Sequence, residues 1–399
     1  MKKNKTLAKI ITIAMCAAMT ATALTACGST QTASSPESSV QSESTSSATE
    51  NKAESQTQAA QTRTVTDICG RQVEVPAEVK SVVCTGIPAT RMMVYAGGVN
   101  LIRGVSANEQ NADQLTTCPA AEIYTKQFAE IETVGSGWPN SEIYGETIIG
   151  LEPDVVISAG ADPKQLDELQ EQLGKPVIGI MATSFNTEDF FQSMDLLGEV
   201  LGTTDHVKKV NAAVRGYIED LENRTKDIPE EGKPTAYYGT VSFKGYNAID
   251  GTYGNYPPFD AIHAVNVADE AGTGAMLIDK EKLADWDPDV LFVNAEFASL
   301  KMVNDDYAAN PGFYDNLSAV KNGRVYSQAA YNAVYTNIEI AICNAYYAGT
   351  VLYPEQFKDV NMEEKAIEII STMVGTDATE YVKALQAKGL GFGPITIGK

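Results

Sequence analysis

Histidine is nearly missing from this chain. Its 399 residues include only His206 and His263, each inside a helical pattern with no second ligand at metal-binding spacing. That excludes a metal site built wholly by protein and leaves little material for general base catalysis. No G-x-S-x-G elbow and no H-E-x-x-H pair occurs, so the common hydrolase and zinc-protease layouts are absent as well. A G-x-x-x-x-G-K string does occur from Gly393 to Lys399, but no Ser or Thr follows it in the sequence and it is a chance match. Cysteine is sparse and scattered: beyond Cys16 and Cys27 there are Cys69, Cys84, Cys118 and Cys343, without the C-x-x-C spacing of a zinc ribbon or redox motif. One disulfide among these four and isolated buried thiols both remain open. Positive charge is also short. Thirty Lys and Arg stand against 52 Asp and Glu, a net charge of −22, which sets nucleic acid aside.

Long hydrophobic runs are confined to the start. Lys2, Lys3, Lys5 and Lys9 precede an apolar stretch, Ile10 to Met19, which is too short for a membrane span and reads as a secretory signal. Leu24-Thr25-Ala26-Cys27-Gly28 resembles a bacterial lipobox, in which Cys27 is lipidated and anchors the chain to a membrane surface. Residues 28–62 are Ser, Thr, Gln, Ala and Glu with almost no large apolar side chain. Such a segment cannot offset its own conformational entropy by burial, and it is expected to be a disordered tether.

What is present from Arg63 onward is enough for two domains: 44% of the chain is hydrophobic, and the length suits two units. Two stretches read alike. Glu146 opens a run to Leu151-Glu152-Pro153-Asp154 and an apolar strand from Val155. Glu281 opens a run to Trp286-Asp287-Pro288-Asp289 and a strand from Val290. The offset between them is a constant 135 residues, too long for a solenoid repeat. It predicts two similar α/β lobes with parallel sheets, each with a helix that stops before Pro and a strand that starts after it.

In chain order, Val65 to Val75 predicts a hairpin, and Ser81–Thr85, a helix Arg91–Ala96 and Ile102–Ser106 predict a βαβ unit. Helical spacing over 188–200 and 205–226 predicts two helices, the second long enough, on the order of 33 Å, to join the lobes. The expected boundaries are 63–186 for the first lobe, 187–232 for the linking helices and 233–399 for the second lobe with its terminal helices. Asp260–Val265, Asn337–Leu352, Met362–Val374 and Asp377–Ala387 are the helices expected there.

Asp67, Gly70, Arg71, Val73, Val75, Pro76, the paired helix-Pro-Asp-strand stretches, Asn310-Pro311 and the run Ala319 to Tyr326 resemble the substrate-binding proteins of ABC importers for iron-siderophore complexes, haem and cobalamin. The resemblance covers nearly all of the chain from Arg63. It implies two lobes joined by one rigid helix, a ligand in the cleft between them, and no catalysis. It also implies one surface glutamate per lobe for docking to a membrane permease and its ATPase, here Glu146 and Glu281 by position. An acid in the first turn of a helix also favours the helix dipole, which explains each glutamate singly but not their matched positions.

Ligands of such lobes gather at the carboxyl ends of strands. That places 85–91, with Arg91, and 135–140, with Trp138, at the cleft. From the second lobe Lys244, Tyr246, Tyr253, Tyr256, Tyr331 and Tyr335 are the candidate contacts, because rings with a polar tip suit a broad chelated ligand. The expected ligand is a metal chelate that arrives assembled, a ferric siderophore first, with corrinoid, haem and molybdate or tungstate as alternatives. A ligand-sensing lipoprotein is the alternative from another class. The protein is expected to be a monomer without an intrinsic cofactor.

Overall fold

The computed structural model describes residues 61–399 apart from 111–117, 138–140, 161 and 333–334. The signal, Cys27, most of the tether and Trp138 therefore lie outside the described residues. The hairpin forms as expected: Thr62–Thr66 pairs antiparallel with Gln72–Pro76, and Gly70 takes φ 79 in the turn, where a side chain is disfavoured.

The first lobe is built on five parallel strands. Their order across the sheet is Glu132–Gly135, Ile102–Ser106, Val82–Thr85, Val155–Ala159, Val177–Ile180. The chain winds outward in one direction from Val82–Thr85 and then in the other from Val155–Ala159. A topological switch point therefore lies between these two strands, and the crevice above it is where such sheets bind ligands. All four residues of Val82–Thr85 are buried, as expected for a strand covered on both faces.

The second sheet departs from the expectation of parallel strands throughout. Its centre is parallel, with Thr235–Gly239, Val290–Ala295 and Val325–Ala329 side by side. Antiparallel strands flank it: Gly251–Gly254 and Gly274–Leu277 on one side, Gly393–Pro394 on the other. The Tyr- and Gly-rich stretch after residue 243 supplies the first of these, which its turn residues concealed. The expected helix over 260–265 is a single turn, Pro257–Asp260. His263 adopts a left-handed φ of 51, and Val265–Asn266 then pairs parallel with Thr235–Ala236. The helix Phe297–Ala309 escaped the sequence reading because its apolar residues lack a clear helical stripe.

The matched stretches are matched in structure. Glu152 and Asp287, 135 residues apart, both end their helices in the left-handed conformation, at φ 48 and 38. Asp154 Oδ2 accepts from the backbone N–H groups of Lys80 and Ser81, at 2.7 and 2.9 Å, while its own N–H donates to Ser81 Oγ at 3.0 Å. Asp289 repeats this on Thr235: its Oδ2 accepts from the Thr235 N–H at 2.8 Å and hydroxyl at 3.0 Å, and its N–H donates to Thr235 Oγ1 at 3.0 Å. Each Pro-Asp thus pins the start of its lobe's first strand beside the strand that follows.

The joining helix runs Thr204–Thr225, 22 residues, beside Glu188–Leu201. It does not stand alone between the lobes. One apolar core runs from Val65 to Leu390 and contains residues of both lobes. Helix Ile338–Leu352 is buried around almost its whole circumference, and Gly349 is required there because a Cβ would stand 2.3 Å from the Phe357 ring. The terminal helix Met362–Val374, expected with the second lobe, packs chiefly on Ile338–Leu352 and also touches the first-lobe helices Ile87–Tyr95 and Pro119–Ile123, the second of which Thr379–Ala387 meets as well.

If the two Pro-Asp clamps hold their strands independently, Asp154→Ala and Asp289→Ala each lower unfolding free energy by about 1 kcal/mol, and the losses add in the double variant. Urea unfolding measures this. A silent Asp289→Ala beside a costly Asp154→Ala would break the equivalence.

Candidate functional site

A cavity of about 470 Å³ opens at the carboxyl ends of the first-lobe strands. Thr85, Ser106, Gly135 and Ser158 line it from four of these strands, so it sits on the switch point. Gly86 (φ 84) starts the helix Ile87–Tyr95 with no side chain capping it, and Pro88 occupies the first turn. A Cβ on Gly86 would meet Ala159 Cβ at 3.3 Å, which is tight contact at an already unfavourable φ. Gly86 and Pro88 of this uncapped turn line the cavity; Pro88 has no N–H, and the Ala89 N–H donates to the Gly86 carbonyl at 3.1 Å. Hydroxyls and small residues thus form the floor, while Glu142, Asp162 and Glu168 give it an acidic rim.

A second cavity, about 280 Å³, faces it from the second lobe and is lined by Ser242, Lys244, Tyr246, Glu296, Asn332 and Tyr335. Between them a recess of about 60 Å³ reaches Arg91, Tyr95 and Thr336. Tyr335 lines all three. It is 49% exposed and adopts φ 70, a conformation that a bulky residue holds only where its surroundings impose it.

Of the expected contacts, Lys244, Tyr246 and Tyr335 come together in this cleft. Three others do not. Tyr256 is fully buried, its ring stacked 4.1 Å from that of Tyr238 and its hydroxyl bonded to Gln328 Oε1 at 3.3 Å and by Asn344 Nδ2 at 3.0 Å. Tyr331 is 1% exposed and packs edge-on to Tyr253 and Tyr256. Half-buried Tyr253 shares this cluster. The stacked rings seal the second-lobe core, and none of the three lines a cleft cavity.

Arg91, expected as a ligand contact, is held by protein groups instead. It is 2% exposed; Nη1 donates to the Thr336 carbonyl at 3.0 Å and Nη2 to Cys118 Sγ at 3.2 Å. One turn on, the Tyr95 hydroxyl donates to Glu339, which is wholly buried. Burial works against the Arg91 charge, but Cys118, Tyr95, Glu109 and Glu339 around it outweigh that and raise its pKa. The guanidinium joins the lobes at the back of the cleft rather than standing open to a ligand.

Two acids went unread in the sequence. Glu296 follows the strand Val290–Ala295 into the second cavity, where burial raises its carboxyl; Ser242 Oγ donates to it at 3.0 Å. Its position at a strand's carboxyl end was the available signal. Glu109, 1% exposed, lies beneath the first cavity and accepts a hydrogen bond from the Ser106 hydroxyl. Burial pushes its carboxyl up to about 7. Nothing in an acidic chain marks it out before folding.

Glu146 and Glu281 are both exposed, each in the first turn of its helix, and neither forms an ion pair among the described residues. The four described cysteines are free thiols, Cys69 half-buried and the others buried. No cluster of metal-ligating side chains is found among the described residues, and no helix among them is long and apolar enough to cross a membrane.

The switch-point cleft between two α/β lobes defines a solute-binding architecture, and the family pattern for periplasmic binding proteins matches residues 105–331. The chain belongs to that family, whose members act as binding components of ABC transporters. A curated relative, the molybdate-binding protein MolA of Haemophilus influenzae, is 21% identical over 326 residues, covering 76% of this chain and 88% of that protein. Among solved structures, a periplasmic solute-binding protein from Veillonella parvula superposes with a TM-score of 0.65 at 19% identity, over 81% of this chain and 96% of that one. The TroA-like protein FepB of the same organism gives 0.62 at 19% identity, over 79% and 97%.

Proposed function

We propose that this protein is a lipid-anchored extracytoplasmic receptor, without catalytic activity, that captures an organic metal chelate and delivers it to an ABC permease. A ferric siderophore is the leading ligand class. The observation that carries this reading is the paired cleft: about 470 Å³ on one lobe and about 280 Å³ on the other, with Tyr335 common to both. That space suits a drug-sized ligand rather than a bare ion. Among the described residues Lys244 is the one cation lining these two cavities, against Glu142, Asp162, Glu168 and Glu296. A neutral or cationic chelate meets this lining with less repulsion than a polyanionic one.

Molybdate is the second reading. It is favoured by the relative named for that ligand and by the uncapped N-terminus of Ile87–Tyr95 beside hydroxyls.

Thermal unfolding of the full chain against ferric hydroxamates, ferric catecholates, haem, cobinamide and molybdate separates the two. A ligand at about 100 times its Kd adds about 2.7 kcal/mol of stability. Stabilisation by a ferric chelate, lost at least tenfold in affinity in Tyr335→Ala without a change in ligand-free melting, is the expected result. Stabilisation by molybdate alone would replace the first reading with the second.

Docking through Glu146 and Glu281 predicts that Glu146→Lys with Glu281→Lys abolishes uptake while ligand affinity is unchanged. Uptake assays and titration calorimetry on the same variant read both. A loss of affinity would place the residues in the binding site and end the docking assignment.

A further inference from the structure

Ser106 closes the strand Ile102–Ser106 and lines the floor of the first cavity. Glu109 lies three residues on, in the short 3₁₀ turn Ala107–Gln110, and is not among the residues that line the cavity. The Ser106 hydroxyl donates to the Glu109 carboxyl group. Gly137, also lining the cavity, passes so close that a Cβ would stand 1.7 Å from Asn108 Oδ1 and 3.2 Å from Ser106 Oγ. Only backbone fits there, and the glycine keeps Ser106 within reach of the cavity.

A hydroxyl has a single hydrogen, and an ionised carboxylate can only accept. While Glu109 is charged, the Ser106 hydrogen points down to it and the serine offers the cavity lone pairs alone. Once protonated, Glu109 can donate to Ser106 Oγ, and the serine hydrogen is released upward. We propose that Glu109 sets the hydrogen-bonding sense of Ser106, so that an oxygen acceptor on the ligand is held by this hydroxyl only while Glu109 carries a proton. This rests on the cleft being the ligand site. The class of ligand atom it selects, an oxygen acceptor, is presented both by a hydroxamate chelate and by an oxyanion.

The surroundings leave Glu109 free to titrate near neutrality. Burial raises its carboxyl to about 7, against the opposing pull of Ser106, Arg91 and Thr90. Arg91 remains charged, and burial keeps the thiols of Cys84 and Cys118 protonated. The elements packed on the turn also carry Arg103, Lys126 and Glu132, all exposed to solvent, and half-buried Glu122, whose carboxyl burial raises against the opposing charge of Lys388. Beyond Arg91 lies Glu339, likewise raised by burial.

The test is titration calorimetry of the full chain from pH 5.5 to 8.5, with iron(III)-desferrioxamine B in one arm and sodium molybdate in the other. For whichever probe binds, Kd is expected to be flat below about pH 6 and to rise about tenfold between pH 7.5 and 8.5. Glu109→Gln, whose amide donates to Ser106 as the protonated acid does, is expected to hold the low-pH affinity throughout. Ser106→Ala is expected to be flat and about tenfold weaker at low pH. A wild-type profile without slope overturns the proposal, and a slope that survives in Glu109→Gln overturns it by passing the titration to Glu339.

If neither probe binds, the hydroxamate and molybdate readings fail and the proton linkage is still decided. The folded state then holds a proton that the unfolded chain releases near the usual carboxyl value of about 4.5. Wild type should therefore lose stability relative to Glu109→Gln as pH rises from 5 through 7, levelling off by about pH 8. Parallel melting profiles overturn the proposal independently of any ligand.

Discussion

A buried guanidinium holds the two lobes together. Arg91, on the helix leaving the first-lobe switch point, reaches the Thr336 carbonyl just before helix Ile338–Leu352, and Tyr95 on the next turn reaches Glu339 inside it. A charge this deeply buried is tolerable only with partners in place, and removing one leaves the others desolvated and unpaired. Tyr335 directly precedes Thr336, so the contact that fixes the junction also fixes the residue at the centre of the cleft. Behind it the apolar core continues unbroken between the lobes, and the terminal helix Met362–Val374 touches helices of both.

The two lobes are variations of one plan, with different sheets grown onto it. The Pro-Asp clamp, the left-handed helix end and the exposed first-turn glutamate occur in both at the same spacing. The first lobe keeps its parallel sheet and offers hydroxyls and backbone at the strand ends. The second adds antiparallel edges and turns its aromatic residues inward, leaving Tyr246 and Tyr335 to face the cleft. The cleft is thus polar and small-residued on one wall, and aromatic with one lysine and one carboxyl on the other.

The plan was legible in the sequence because it is written in local signals. The 135-residue offset, the apolar strands after Pro-Asp and the periodicity of 188–226 each depend on neighbours in the chain. Strands such as Ile102–Ser106 and the 22-residue joining helix follow from them. The site was legible only in part. Lys244, Tyr246 and Tyr335 reach the cleft, but Tyr253, Tyr256 and Tyr331 belong to the same Tyr-rich pattern and are turned into the core. Composition cannot separate a ring that packs from a ring that binds when both sit in one loop. Arg91 was read as a ligand fork because it follows a strand end; its burial depends on helix Ile338–Leu352, some 245 residues away in sequence. Glu296 was marked only by its place after the strand Val290–Ala295, and Glu109 by nothing short of its burial.

The measurement that bears most directly on this account is urea unfolding of Arg91→Met alongside ligand titration of the same variant. If Arg91 joins the lobes, the variant loses about 3 kcal/mol of stability, because Tyr95, Cys118 and Glu339 are left around an unfilled charge site. Unchanged stability with a specific loss of ligand affinity would contradict the account and return Arg91 to the cleft as a ligand contact.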